Sequence, residues 1–144
     1  SGMKIKITTQ GGDLPSYETE GSAGMDIRAF VKEPVKLDPG ERKLIPTGIA
    51  IELPKGYEAQ IRARSGLSVK FGIGLVNGVG TIDSDYRGEI KVGLINLGED
   101  PYTINNGDRI AQMIIAKYET AEWELSDELN RSSRGSGGFG HTGI

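Results

Sequence analysis

Turn-forming residues recur roughly every ten positions along this chain, and that spacing limits what the chain can fold into. Its 22 glycines among 144 residues are about twice the usual share, and they are spread along the whole length. Breaks at residues 11–15, 38–41, 54–56 and 105–108 separate short, alternating runs. No run has the apolar spacing of a helix of three turns. The pattern therefore predicts an all-β fold, either a sandwich or a barrel.

Individual elements follow from the period of the apolar residues. Alternating or β-rich runs predict strands at residues 4–8, 23–30, 57–64, 73–79, 89–96 and 109–118. Residues 43–53 are predicted as one strand with a bulge or bend at residues 46–48. Residues 65–71 favour a short helix that the Ser65 hydroxyl would cap. Residues 121–129 fit either a last strand or irregular chain.

Composition excludes several kinds of site. A net charge of -3 gives no reason to expect nucleic-acid binding by bulk electrostatics. A nucleotide would therefore have to be bound by a few arginines in a local pocket. Without cysteine and with a single histidine, neither a thiolate nor a multi-histidine metal centre can form within one chain. Any metal is therefore expected to be a hard cation such as Mg²⁺, held by oxygens.

The chain is predicted to hold one domain and a tail. Residues 3–129 form the expected β domain, and residues 130–144, rich in glycine and serine, form a C-terminal arm. Residues 1–2, ahead of Met3, look like the remnant of a cleaved expression tag. No apolar run approaches the about 20 residues of a membrane span, and no signal peptide is visible. We therefore expect a soluble protein of the cytoplasm.

Residues 80–88 place two acids, a phenol and a guanidinium between two glycines, with apolar strands on either side. The glycines allow a tight turn or a close approach to a ligand. In an extended segment, the carboxylates of Asp83 and Asp85 would project the same way. Because Asp, Ser and Gly are also common in turns, this segment taken alone favours a hairpin loop over a catalytic site.

Four other places in the domain carry chemistry that a plain β domain does not need. Asp26 and Arg28 would share one face of a strand, which also fits an ordinary solvated face. Residues 64–66 combine a guanidinium, a hydroxyl and backbone N–H groups, which fits a phosphate cradle or a capped turn. Gln112 interrupts an apolar face and, if buried, needs hydrogen-bond partners. Asn77 carries both a donor and an acceptor, which suits a nucleobase edge, although Asn-Gly is also a common turn.

The C-terminal arm carries Arg134 and Phe139 among glycines. Residues 135–140 match G-x-G-x-x-G, but no strand precedes them and no helix can follow, which excludes a dinucleotide-binding turn. Taken alone, the composition favours a disordered tail. The arginine and the aromatic ring also fit a mobile arm that closes over a ligand and excludes water.

Together and in this order, the segments resemble the five motifs of the homotrimeric dUTP pyrophosphatases, or dUTPases. The motifs are Ala-Gly-Met-Asp at residues 23–26, Arg-Ser-Gly-Leu-Ser at 64–68, Gly-Thr-Ile-Asp-Ser-Asp-Tyr-Arg-Gly at 80–88, Gly-Asp-Arg-Ile-Ala-Gln-Met at 107–113 and Arg-Gly-Ser-Gly-Gly-Phe-Gly at 134–140. The resemblance implies a jelly-roll-like β-barrel that assembles as a homotrimer, with three sites at the subunit interfaces. It also implies that the arm often crosses to a neighbour's site.

The resemblance implies hydrolysis of dUTP to dUMP and pyrophosphate, which keeps uracil out of DNA and supplies dUMP for dTMP synthesis. Asp83 would act as the general base on the attacking water, and Tyr86 would pack against the deoxyribose. Asp26 would hold a water of the Mg²⁺ that sits on the triphosphate. Asp85 and Arg87 would make supporting contacts. Further substrate contacts are implied for Arg64, Ser65, Gly66, Asn77, Gly80, Ile82, Gln112, Arg134, Ser136, Gly137, Gly138 and Phe139.

Two other functions remain open from the sequence. A dCTP deaminase is a relative on the same fold, in which attack on the base replaces attack on phosphorus. A non-catalytic barrel that binds a deoxynucleotide or a protein partner is the second. The complete third motif, with Asp83 and Tyr86, and the arm with Phe139 favour the pyrophosphatase over both.

Overall fold

The structure is a computed structural model that describes residues 2–138 and 140. Short strands dominate the described chain, and one short helix interrupts them. The elements are β1 Lys6–Thr9, β2 Ser16–Tyr17, β3 Met25–Arg28, β4 Val35–Leu37, β5 Arg42–Pro46, β6 Ile49–Glu52, β7 Tyr57–Arg62, α1 Ser65–Phe71, β8 Ile73–Leu75, β9 Gly80–Ile82, β10 Lys91–Asn96, β11 Tyr102–Ile104 and β12 Arg109–Lys117.

Four antiparallel sheets surround one core. The largest has the order β2-β3-β12-β7-β9, a second has the order β5-β10-β8, and β1-β6 and β11-β4 form two-stranded pairs. Every sheet contributes to a single buried apolar cluster, with examples in Ile27, Leu37, Ile45, Ile51 and Ile61. Because the only helix of the described chain is seven residues long, the prediction of an all-β fold is confirmed.

The strands form where the sequence alternates. In β7, Ala59 and Ile61 are buried, while Arg62 is exposed. β7 pairs on one side with β12, the nine-residue strand at the centre of the largest sheet, and on the other with β9. The pairing of β12 with β3 shifts register between Arg109 and Ala111. Side chains at the start of β12 are therefore turned relative to a regular ladder.

The prediction of one bent strand over residues 43–53 is wrong, because the chain changes sheets there. β5 pairs with β10, whereas β6 pairs with β1. Gly48 adopts a φ of 70°, and a Cβ on it would lie 2.6 Å from the Phe30 ring. Thr47 is buried, and its hydroxyl donates to the carbonyl of Ile90. These contacts fix the crossing between the sheets.

Helix α1 is confirmed at the predicted residues, but the predicted cap is wrong. Its N-cap is Arg64, in an extended conformation, and no side chain bonds to the free N–H groups. The helix ends at Gly72, whose φ of 74° is left-handed and whose N–H donates to the Ser68 carbonyl. A Cβ on Gly72 would lie 2.5 Å from the backbone nitrogen of Gly98, so the helix end packs directly against another chain segment.

Regular secondary structure ends at Lys117 in the described chain. Of the two alternatives for residues 121–129, the irregular one holds, and the side chains of Trp123, Leu125 and Leu129 are almost fully exposed. None of the described helical residues forms a stretch long and apolar enough to cross a membrane.

Candidate active site

A cavity of about 430 Å³ opens between the five-stranded and the three-stranded sheets. Ile61 of β7, Leu75 of β8 and Val92 of β10 form part of its apolar wall, and Asn77 and Asp83 are among its polar lining. An apolar cleft of this size with a few polar groups is the usual form of a small-molecule site.

Asn77 lies in the turn that leads from β8 into β9. The hairpin predicted around residues 80–88 is confirmed in that the strands on either side, β8 and β10, pair antiparallel. Residues 80–82 nevertheless form a further strand, β9, which pairs with β7, so β8 and β9 diverge into different sheets and leave the cavity between them. A Cβ on Gly80 would lie 3.3 Å from the Asn77 Nδ2 and 3.3 Å from the Ile61 Cβ, so glycine allows this close packing.

The loop after β9 carries Asp83 and Tyr86 to the cavity. The Tyr86 N–H donates to the Asp83 carbonyl at 3.2 Å, which closes the turn. Arg87 donates to the Ser84 carbonyl at 2.6 Å and pairs with Glu52 of β6 at 3.7 Å. The supporting role expected of Arg87 is therefore met by contacts within one chain. Asp85 is exposed.

A second polar cluster surrounds Asp26 on β3. Its carboxylate oxygens lie 3.8 Å from the Arg64 Nε and 3.8 Å from the Arg109 Nη1, and Arg109 also pairs with Glu18 at 3.6 Å. Arg28 shares a face of β3 with Asp26, as predicted, and donates to the Gly107 carbonyl at 2.8 Å. The two guanidinium groups are balanced by the carboxylates of Asp26 and Glu18, so the four side chains together carry no net charge. The guanidinium N–H groups are still the kind of donor that binds an anionic ligand.

Gln112 joins this cluster from β12. Its amide donates to the Ala63 carbonyl at 3.2 Å, which supplies the partner that a half-buried amide needs. A Cβ on Gly24 would collide with the Gln112 Oε1, so glycine in the Ala-Gly-Met-Asp segment makes room for this side chain. Ser65 and Gly66 follow Arg64 and are exposed in the first turn of α1.

Tyr102 lies near the same arginine. Burial raises the pKa of its phenol above the usual value of 10.0, and the negative charge of Asp108 adds to that rise, while Arg64 partly offsets it. The side chain is therefore a neutral hydroxyl at neutral pH and adds no negative charge to the cluster.

Strand register places the two polar clusters on opposite faces of the largest sheet. Gln112 pairs with Arg62 on one side and with Asp26 on the other, so these three side chains project from one face. Ile61, the neighbour of Arg62, lines the cavity from the opposite face. The cavity with Asp83 and the cluster with Asp26 therefore point away from each other within one chain.

The described part of the arm folds on itself. Arg134 and Ser136 are exposed. The Arg134 Nε donates to the Gly137 carbonyl, and the Gly137 N–H donates to the Arg134 carbonyl. Gly138 lies beside the Arg134 guanidinium. The contact expected of Phe139 concerns a residue outside the described ones.

The expected substrate contacts thus fall into three places. Asn77, Gly80, Ile82, Asp83 and Tyr86 line the cavity. Asp26, Arg64 and Gln112 gather around β3 and β12, with Ser65 and Gly66 beside them. The third place is the arm, which carries Arg134, Ser136, Gly137 and Gly138. Arg109 and Glu89 had no predicted role, although Arg109 belongs to the quoted segment 107–113 and Glu89 follows the segment 80–88. Their contacts depend on strand register, which the sequence pattern does not reveal.

Comparisons with known proteins agree on one family. The dUTPase family model matches residues 10–143. The chain is 60% identical over 143 residues to deoxyuridine 5'-triphosphate nucleotidohydrolase of Rickettsia felis, covering 99% of the chain and 97% of that protein. It is 57% identical over 142 residues to the protein of the same name from Finegoldia magna, covering 98% and 99%.

A solved structure shares the fold at low sequence identity. The dUTPase of Staphylococcus bacteriophage 80alpha, a G164S mutant with dUpNHpp, superposes with a TM-score of 0.88 at 26% identity, covering 98% of this chain and 99% of that one. Family model, curated relatives and fold agree over nearly the whole length. The chain therefore belongs to the dUTPase family.

Proposed function

We propose that this protein hydrolyses dUTP to dUMP and pyrophosphate. The observation that carries the proposal is the position of Asp83 and Tyr86, on one hydrogen-bonded loop at the edge of the cavity between the five-stranded and the three-stranded sheets. Relatives that share 57% and 60% of its residues are named for this activity. Such an enzyme keeps uracil out of DNA and supplies dUMP for dTMP synthesis.

The cavity is proposed to hold the nucleoside. Its volume of about 430 Å³ suits a base and a sugar, and the Asn77 amide offers a donor and an acceptor to the edge of uracil. The close packing of Gly80 on Ile61 narrows the cleft, so the methyl group of thymine would be excluded by shape. Backbone groups near Gly80 and Ile82 would complete the contacts, and Tyr86 would pack on the deoxyribose.

The second cluster is proposed to hold the phosphates. Arg64 and Arg109 supply the positive charge, and Ser65, Gly66 and Gln112 supply hydrogen bonds. Asp83 would take a proton from a water aligned with the α-phosphorus, a contribution of about 10²- to 10⁴-fold in rate. Alignment of that water and stabilisation of the developing charge would supply much of the remaining rate.

Mg²⁺ fits the residues present. Among the described residues, no group of three or more acidic or histidine side chains is arranged to hold a metal ion. Mg²⁺ commonly binds substrate phosphates, takes one or two carboxylates and keeps several waters. We therefore propose that the triphosphate carries the ion and that Asp26 binds one of its waters. The bound ion would neutralise charge on the phosphates.

We propose that the working unit is a homotrimer whose sites are shared between subunits. The cavity and the Asp26 cluster point away from each other, so one chain cannot close both around one nucleotide. Trp123, Leu125 and Leu129 are almost fully exposed, and apolar side chains gathered in one segment often mark a surface that a partner covers.

The arm is proposed to close over the bound nucleotide. Arg134 would bind the γ-phosphate, Ser136, Gly137 and Gly138 would add phosphate contacts, and Phe139 would stack on uracil. Closing would also remove water from the triphosphate. A cytoplasmic location belongs to the same proposal, and the absence of cysteine is compatible with a reducing compartment.

A panel of deoxynucleoside triphosphates with Mg²⁺ tests the function. We expect pyrophosphate release from dUTP and at most a trace from dTTP, dCTP, dATP and dGTP. Release of ammonia from dCTP would instead identify a deaminase. Binding of dUTP without pyrophosphate would identify a non-catalytic nucleotide-binding protein, and either result would overturn the proposal.

A further inference from the structure

We propose that Gly88 is a positioning residue that sets the sugar specificity of the site by giving the Tyr86 ring its place. The inference rests on the proposed function, because it concerns how Tyr86 tests the sugar of the nucleotide. Gly88 touches no proposed substrate atom. Because Gly88 has no side chain, the phenol of Tyr86 can occupy the volume next to it.

The packing at Gly88 is specific to one side chain. A Cβ built on Gly88 would lie 2.5 Å from the Tyr86 Oη, 2.7 Å from its Cζ and 3.1 Å from its Cε1. These three are the nearest atoms, and all belong to Tyr86. Gly88 is not among the glycines with a positive φ, so backbone conformation does not explain the requirement. A methyl group here would have to push the ring away.

A hydrogen bond holds the ring in the space that Gly88 leaves. The Tyr86 hydroxyl donates to the Glu89 carbonyl at 2.8 Å, so the side chain folds back over its own loop. Tyr86 is nevertheless 46% exposed and lines the cavity, so packing alone does not fix the ring. Two features therefore fix it together, the missing side chain of Gly88 and the carbonyl of Glu89.

The acceptor of this bond is itself fixed to the core. The Glu89 carboxylate accepts the Gly48 N–H at 2.9 Å, and the next residue, Ile90, exchanges backbone hydrogen bonds with Thr47 and Ile49. Ile90 is buried. The carbonyl that holds the phenol is thus attached to the crossing between β5 and β6, which gives the ring a rigid reference point.

A ring fixed in this way can act as a steric test of the sugar. Discrimination against a 2′-hydroxyl requires that the blocking surface does not yield, because a mobile ring would move aside at little cost. The Tyr86 ring packs directly against the backbone at Gly88, and the hydrogen bond of its hydroxyl to the Glu89 carbonyl keeps it there. Displacing the ring is expected to relax the preference for deoxyribose more than it slows hydrolysis of dUTP.

The test compares kcat/KM for dUTP and for UTP in the wild-type protein and in Gly88→Ala. We expect the dUTP/UTP ratio to fall about tenfold or more, since small misplacements of positioning groups have effects up to about 10²-fold. Gly74→Ala is the matched control, because a Cβ there meets nothing within 4 Å, and its ratio should stay within about twofold. An unchanged ratio in a folded Gly88→Ala protein would overturn the proposal.

Two more variants separate positioning from a general structural role. Adding Gly88→Ala to Tyr86→Ala should leave both the ratio and the melting temperature unchanged, because no ring remains to collide. An equal loss in that background would contradict the proposal. If Gly88→Ala does not fold, Tyr86→Phe removes only the hydroxyl bond, and its ratio should fall about threefold or more. An unchanged ratio in Tyr86→Phe would then be the contrary result.

Failure of the proposed function gives a different pattern. A wild-type protein that does not hydrolyse dUTP would refute the function, whereas Tyr86→Ala with an unchanged dUTP/UTP ratio would refute only the sugar role of the phenol. A crystal structure of Gly88→Ala reports on the geometry without any substrate. It should show the Tyr86 hydroxyl detached from the Glu89 carbonyl, and an unmoved ring would refute the inference by itself.

Discussion

Asp83 occupies the position on which the proposed chemistry depends most directly. It lies at the edge of the cavity, and its backbone carbonyl closes the turn that carries Tyr86. We expect Asp83→Asn to keep the loop and the bound nucleotide but to lower kcat about 10²- to 10⁴-fold, because an amide cannot accept the proton of the attacking water. Single-turnover kinetics with dUTP, and calorimetry with dUpNHpp, measure the two effects separately.

Asp85 provides the matched control for that variant. It is an exposed carboxylate two residues further along the same loop. Asp85→Asn makes the same chemical change and should leave kcat within about twofold. Unaltered turnover in Asp83→Asn would remove this carboxylate from the mechanism.

Single residues were predictable where a local segment carries the chemistry. Asp83, Tyr86 and Asn77 stand out as polar groups between apolar strands, and they do line the cavity. The partners of Asp26 were not predictable, because Arg109 reaches it across two strands whose register shifts at a bulge. Neither the shift nor the pairing leaves a periodic trace in the sequence.

At the scale of the element, the end of α1 is constrained by close backbone packing. A Cβ on Gly98 would collide with the Phe71 carbonyl oxygen and lie 3.2 Å from the Asn96 Oδ1. Asn96 is fully buried, and its amide bonds to the carbonyls of Leu37 and Asp100. Two backbone segments and a buried amide therefore meet where no side chain fits.

We expect Gly98→Ala to lower the free energy of unfolding by about 1–3 kcal/mol, since overpacking against backbone cannot be relieved by a rotamer change. Urea denaturation with an unchanged m value measures this loss. Gly21→Ala, where a Cβ meets nothing within 4 Å, is the control and should stay within about 0.5 kcal/mol. Equal midpoints for the two variants would show that the turn at Gly98 yields more easily than its packing indicates.

Alternation was enough to predict most strands but not the sheets to which they belong. Residues 43–53 alternate as one strand would, yet they divide between two sheets at Thr47 and Gly48. Strand β9, which lies inside the segment predicted as a loop, and its pairing with β7 were missed for the same reason. Period and turn residues report local conformation, whereas the choice of neighbour depends on contacts made across the whole core.

At the scale of the molecule, the arm is the part whose removal separates folding from turnover. No strand or helix lies beyond Lys117 in the described chain, so every sheet pairing that the structure describes is made by residues before the arm. We expect deletion of residues 134–144 to lower kcat about 100-fold or more, because the γ-phosphate loses its arginine and water enters the site. The melting temperature should change little.

Deletion of residues 143–144 alone is the control, because it leaves every proposed contact of the arm in place, and its kcat should stay near the wild-type value. Circular dichroism and dUTP turnover on the same samples measure both properties. Normal hydrolysis by the longer deletion would exclude a role for the arm in closing the site.

The number of subunits was not predictable from residue spacing. The number three comes from the resemblance alone, whereas the opposite directions of the cavity and the Asp26 cluster bear on whether sites are shared between chains. An interface leaves no periodic pattern in a sequence. Trp123 and Leu125 stand among polar residues, and the sequence does not indicate that their side chains are exposed.

The opposite directions of the cavity and the Asp26 cluster bear on whether the active unit is the single chain or the assembly. If each site takes one half from one chain and the other half from a neighbour, catalytic capacity belongs to the assembly and vanishes on dissociation, even though every chain stays folded. Dilution would then lower the rate per chain, and that rate would rise with protein concentration until assembly is complete. The cell would control this activity partly through how much of the protein it makes.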